Sequence, residues 1–128
     1  MQLFDHLCIN KKTNMEVREI CKLLKATVVC GKIDDLNQIK RGFCSDLMSD
    51  VLTLDTENLL LITGMCNLQT LRTAEMADIR FIVIVRNKKA TDEMIVLAEN
   101  IGICLLESPY SSFKSCGILY MAGLKPVY

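Results

Sequence analysis

Between Leu59 and Ala122 the chain alternates short, continuous apolar runs with longer stretches of mixed character, three times over. Leu59–Thr63, Phe81–Val85 and Ile103–Leu106 are the apolar runs, each the length of a strand and bounded by turn-formers. Asp55–Asn58 and Gly64 flank the first, Arg86-Asn87-Lys88-Lys89 ends the second, and Pro109 follows the third. A helix is expected after each. Asn67 can cap one over Leu68–Ala77, where Leu68, Leu71, Ala74 and Met76 give an imperfect apolar stripe. Thr91 can cap another over Asp92–Asn100, with Asp92 and Glu93 at the positive end of the helix dipole and Gly102 just past the last turn. Ser111 or Ser112 opens a third over Phe113–Ala122, stopped by Gly123.

The N-terminal half is less regular. Residues 1–13 show no period and are expected to form an arm or an added strand. Asn14 is expected to cap a helix over Met15–Lys25, whose Val17, Ile20, Leu23 and Leu24 make one buried stripe. Thr27–Cys30 reads as a short strand ending at Gly31, and Asp34–Gly42, polar and Gly-terminated, as a loop. Phe43-Cys44 reads as the start of an edge strand. Ser45 then caps a short helix over Asp46–Leu52, with Leu47, Met48, Val51 and Leu52 facing in. Strands apolar on both faces, alternating with helices, require a parallel sheet covered on both sides and joined by right-handed crossovers. The expectation is one small three-layer, Rossmann-like α/β domain over residues 14–128, with a mainly parallel sheet.

Composition narrows the class. With 128 residues, 51% of them hydrophobic, the chain can build one core. No run approaches the roughly 18 apolar residues that span a bilayer. Met1–His6 lacks the basic-then-apolar order of a secretory signal, so a soluble, cytoplasmic protein is expected. Fifteen basic residues balance fifteen acidic ones and Trp is absent, which argues against nucleic acid or an anionic membrane as partner. Cysteines stand at 8, 21, 30, 44, 66, 104 and 116 with no C-x-x-C pair, and His6 is the single histidine. That spacing fits neither a zinc nor an iron–sulfur site, so no metal and no cofactor is expected. Cys21, Cys30 and Cys104 sit in apolar stretches and read as reduced core thiols. Cys66, directly after a strand, is the one placed as a nucleophile would be.

Ligands of open parallel sheets bind beyond the carboxyl ends of the strands, where helix N-termini also point. Thr63, Gly64, Asn67, Arg86, Lys88, Lys89, Ser108, Ser111 and Ser112 are therefore the candidate residues of an anion-binding rim. Neither the P-loop nor the G-x-G-x-x-G spacing is present. Each residue also has a plainer role: the hydroxyls as helix caps, Gly64 as a positive-φ residue, and Arg86–Lys89 as a solvated loop. Asp46 and Asp50, four apart, read as a metal pair or a solvent-facing edge, and Asp34-Asp35 as turn chemistry. His6 has no evident catalytic partner.

Gly42-Phe43-Cys44-Ser45-Asp46-Leu47-Met48-Ser49-Asp50-Val51 resembles the G-Y-x-S-D-L-L-S-D-V segment of DRTGG domains. Leu60–Thr63 with Asn67 is similar to that family's third-strand exit. Leu106-Glu107-Ser108-Pro109-Tyr110-Ser111-Ser112-Phe113, with Gly117, Leu119-Tyr120 and Gly123-Leu124, is similar to its ending. The resemblance spans Asn14–Lys125. It departs at the namesake residues: Leu36–Gln38 reads Leu-Asn-Gln in place of the D-R pair, and Lys40–Gly42 keeps only the last glycine of T-G-G. The resemblance implies the fold of the N-terminal domain of HPr kinase/phosphorylase, found also beside CBS domains in regulatory pyrophosphatases. There it is an accessory module, often at a subunit interface, with the catalytic P-loop elsewhere.

Three functions follow from these observations. The first is a non-catalytic regulatory or ligand-sensing domain that dimerises and acts through a protein partner or a small anionic ligand, with Met48, Met65, Met76, Met94 and Met121 as contact residues. The second is an adenine-nucleotide or phosphate-binding module using the rim. The third is an enzyme with Cys66 as nucleophile, which lacks a base nearby in sequence.

Overall fold

The apolar runs become the middle of a parallel sheet. The structure is a computed structural model that describes residues 14–32 and 38–128. The expected arm over residues 1–13, with His6 and Cys8, the Asp34-Asp35 turn and Leu36-Asn37 lie outside the described residues. In chain order the elements are β1 (Met15–Glu16), α1 (Val17–Leu24), β2 (Thr27–Cys30), β3 (Gln38–Ile39), β4 (Arg41–Cys44), α2 (Met48–Val51) and β5 (Leu59–Thr63). They continue with α3 (Leu68–Met76), β6 (Phe81–Ile84), α4 (Asp92–Ile101), β7 (Cys104–Glu107), α5 (Ser112–Met121) and β8 (Lys125–Pro126). Among the described residues, β1 pairs with β3, and a larger sheet runs in the order β2-β7-β6-β5-β4-β8. In the larger sheet β2 is antiparallel to β7, and the other neighbours are parallel. None of the described helices is long and apolar enough to cross a membrane.

Successive strand residues point to opposite faces, which is why these strands are apolar throughout. Leu60, Ile62, Phe81, Val83 and Leu106 enter one core with Val17, Ile20 and Leu24 of α1 and Leu119 of α5. Leu59, Leu61, Ile82, Ile84 and Leu105 enter the other with Met48, Val51, Leu71, Ala74, Met94 and Ala98 from α2, α3 and α4. The molecule is a three-layer α/β sandwich. Each buried aliphatic side chain contributes about 1.5–3 kcal/mol relative to exposure.

Several local expectations are corrected. α1 starts after Glu16 without a side-chain cap, because Met15 and Glu16 already pair with Ile39 and Gln38; Asn14 caps nothing. The loop expected up to Gly42 is strand at Gln38–Ile39 and from Arg41 onward. β4 is not the edge: β8 pairs outside it, Arg41 with Lys125 and Gly42 with Pro126. The Arg41 guanidinium also donates to the Pro126 carbonyl at 3.1 Å.

Helix α2 is shorter than expected, and Ser45 accepts from the Leu47 N–H at 3.0 Å instead of capping it. Leu47 and Leu52 are exposed, leaving Met48 and Val51 as the buried pair. In α3 the inner face is Thr70, Leu71, Thr73 and Ala74, while Leu68 and Met76 face out. Thr70 is tolerated inside because its hydroxyl donates to the Met65 carbonyl at 2.8 Å. The methionines share no single surface: Met48 and Met94 are buried, whereas Met76 and Met121 are exposed.

Candidate functional site

The carboxyl ends of β4, β5, β6 and β7 lie side by side, and the loops leaving them form the rim. The Asn67, Thr91 and Ser111 caps form as expected, each side chain accepting from the N–H three residues on at 3.0–3.2 Å. These oxygens are engaged in starting α3, α4 and α5. Ser108 turns inward: it is buried, donates to the Leu24 carbonyl at 2.7 Å and accepts from the Tyr110 N–H. Ser112 is the first residue of α5.

Thr63, Gly64 and Arg86 converge, and the group they converge on is Asp46. Its Oδ1 accepts from the Thr63 hydroxyl at 2.9 Å and from the Gly64 N–H at 2.8 Å. Its Oδ2 lies 3.8 Å from the Arg86 guanidinium. Gly64 does not have the positive φ considered for it. A Cβ there would stand 2.9 Å from both Cδ and Nη1 of Arg86, so the glycine makes room for the guanidinium. Asp46 is thus separated in role from Asp50. Sequence reasoning missed it as a rim residue, although it stands in the Ser-Asp segment just after β4.

The second cluster is built on Glu107, the last residue of β7, also missed. Buried on the sheet, it accepts from the Ala90 N–H at 2.6 Å and pairs with Lys89 at 3.7 Å. Lys88 is exposed, and its charge favours the Cys66 thiolate. Arg86 and Asn87 both adopt left-handed φ, 69° and 58°. Their N–H groups donate to the Tyr110 and Ser108 carbonyls at 2.7 and 3.1 Å, tying the β6 exit to the β7 exit. Left-handed backbone at non-glycine residues is costly and concentrates where a loop is held for a purpose.

Between the starts of α3 and α4 a cleft of about 530 Å³ is lined by Cys66, Asn67, Gln69, Thr91, Glu93 and Met94. The Cys66 thiol donates to the Lys89 carbonyl at 3.2 Å. Burial and the Glu107 carboxylate push its pKa up, against the opposing pull of Lys88. Such a thiol is protonated at neutral pH, the reverse of an activated nucleophile. Among the described residues no three metal-ligating side chains are placed to hold an ion.

No protein-family model and no curated protein matches the chain. A solved structure does: the CBS and DRTGG domains of the regulatory region of Clostridium perfringens pyrophosphatase, crystallised with its activator diadenosine tetraphosphate. The TM-score is 0.75 at 12% identity, over 98% of this chain and 57% of that one. The fold is DRTGG-like. The chain spans a little over half the length of that regulatory region, and at this identity the likeness concerns fold alone. In this chain the exits of β4 to β7 carry the rim, with Asp46 held there by Thr63 and Gly64.

Proposed function

We propose that this DRTGG-like domain is a non-catalytic, ligand-sensing regulatory module whose strand-end rim takes a small anionic ligand of the nucleotide or polyphosphate class. The observation that carries the proposal is the Thr63–Gly64–Arg86 cradle: a hydroxyl, a backbone N–H and a guanidinium, closed on a carboxylate. That donor set suits phosphate as well as it suits Asp46. The Arg86–Asp46 pair is about half exposed on both sides, so an incoming anion displaces it at small cost. A regulatory region of related fold is activated by a polyphosphate dinucleotide, in keeping with this assignment. The protonated Cys66 counts against the thiol-enzyme alternative.

Thermal denaturation with ATP, diadenosine tetraphosphate and inorganic phosphate tests the proposal. A bound ligand at 100 times its dissociation constant adds about 2.7 kcal/mol of stability. The shift is expected for at least one polyphosphate and is expected to disappear in Arg86→Ala/Lys88→Ala. No shift with any of the three ends it. The module is further proposed to dimerise through the exposed Phe113, Tyr120 and Met121 of α5. Sedimentation that shows only monomer at high concentration removes that part.

A further inference from the structure

The cleft between the starts of α3 and α4 runs on directly from the cradle around Asp46. Gly64 gives its N–H to Asp46, and Cys66, two residues further on, lines the cleft. Two residues of chain span at most about 7 Å, which bounds the step from one to the other. The cation loop makes a second join: the Cys66 thiol donates to the Lys89 carbonyl at 3.2 Å, and Thr91 stands in the cleft wall. The cleft floor is polarisable, with the Cys66 and Met94 sulfurs 3.8 Å apart. Asn67 and Thr91 have their oxygens committed to the N–H groups of Thr70 and Met94. Gln69 and Glu93 are exposed in the same wall, and among the described residues neither makes a hydrogen bond or ion pair. α3 and α4 cover one face of the sheet and α5 the other, so a dimer through α5 leaves this cleft open.

We propose that this cleft holds the nucleoside of a nucleoside 5′-polyphosphate whose phosphates lie on the rim, an assignment that rests on the rim being the anion site. At about 530 Å³ the cleft has the size of a small-molecule pocket, and its groups suit a nucleoside better than a second phosphate. The aromatic base lies against the Met94 thioether, because polarisable sulfur attracts aromatic rings. The Gln69 amide both donates and accepts, as the edge of a base does. The Glu93 carboxylate only accepts, which suits the ribose hydroxyls and repels phosphate. That repulsion sets the direction of the ligand, with base and sugar at the start of α4 and phosphates toward Arg86 and Lys88. A bare polyphosphate leaves the cleft empty and brings like charge toward Glu93.

The test is calorimetric titration of the full chain with ATP and with inorganic tripolyphosphate, repeated on Met94→Leu and Glu93→Gln. ATP should bind at least about tenfold more tightly, although tripolyphosphate carries the greater charge. Met94→Leu conserves side-chain volume and should weaken ATP about threefold while leaving tripolyphosphate unchanged. Glu93→Gln should weaken ATP and not tripolyphosphate, whereas a carboxylate that only repelled phosphate would, once removed, let both tighten. Alkylation by N-ethylmaleimide, read by peptide mass spectrometry, places the base without a variant. ATP at about ten times its dissociation constant should slow labelling of Cys66 about tenfold. Tripolyphosphate should not slow it, and exposed Cys44 should label alike in all cases. Equal affinity for the two ligands, tightening of both by Glu93→Gln, or protection of Cys44 in place of Cys66 overturns the assignment of the cleft and leaves phosphate on the rim. Binding of neither ligand removes the rim as well.

Discussion

Removing the Asp46 carboxylate leaves the Thr63 hydroxyl without its acceptor and the Gly64 N–H unpaired. Asp46→Ala is expected to lower stability by about 1–3 kcal/mol, near the lower end because the site is half open to water. Asp46→Asn keeps an oxygen for both donors while deleting the charge, and should retain most of that stability. It also removes a like charge from the place a phosphate would occupy. At about 4 Å in a water-like medium that is worth about 1 kcal/mol, so polyphosphate binding should tighten about fivefold. Denaturation and isothermal titration of both variants check the pair of outcomes; weaker binding in Asp46→Asn would make Asp46 a positioning residue and not a stand-in for the ligand.

Cys44 on β4 and Cys116 on α5 line one cavity, and their titration gives a pH signature at the same scale. Lowering the Cys116 pKa to about 7, below the ordinary thiol value, means that between those values the native state binds fewer protons than the unfolded chain. Stability therefore rises with pH through that window and is lost as pH falls through about 7. Because Cys44 is held protonated, the trend reverses above the unfolded value, where the unfolded chain loses a second proton. Denaturation curves under a reductant should show this rise in the wild-type protein and a flatter profile in Cys116→Ser.

At the scale of elements, α3, α4 and α5 announced themselves in the sequence. A capping oxygen and its N–H partner are three residues apart, so local chemistry fixes where each helix starts. Asn67→Ala and Thr91→Ala should each lose about 1 kcal/mol. Asn14→Ala should be neutral within about 0.5 kcal/mol, since α1 opens without a side-chain cap. Parallel denaturant melts separate the three, and an equal loss at Asn14 would contradict the β1–β3 pairing as the reason for the late start of α1. That pairing joins residues far apart in sequence, as does β4 with β5 and β8. Arg41 and Gly42 look like loop residues until Leu59, Leu60 and Pro126 come alongside to take their backbone.

For the whole molecule, the sheet divides its side chains between two cores, and stability should follow that division. Leu61→Ala and Ile82→Ala, fully buried against α2, α3 and α4, should cost about 2–5 kcal/mol each. Leu47→Ala, expected from sequence to be a core change, should cost less than about 0.5 kcal/mol because Leu47 is exposed. Urea titrations decide this, and a large loss at Leu47 would mean that its surface is covered in solution.

The sequence by itself determined the three-layer class, the central strands, the capped helices and the strand-end address of the rim. Each of these is written in residues near one another in the chain: apolar runs, three-residue capping spacings, glycines at Gly102 and Gly123. Only the tertiary structure decided which groups meet at that address. Asp46 reaches Thr63 and Gly64 from 17 and 18 positions away, Glu107 reaches Ala90 across 17, and Ser108 reaches Leu24 across 84. Cys44 and Cys116 come to line one cavity only when α5 folds back over β4. Spacing along a chain carries no information about such contacts, because they are set by strand order and helix packing and not by local propensity.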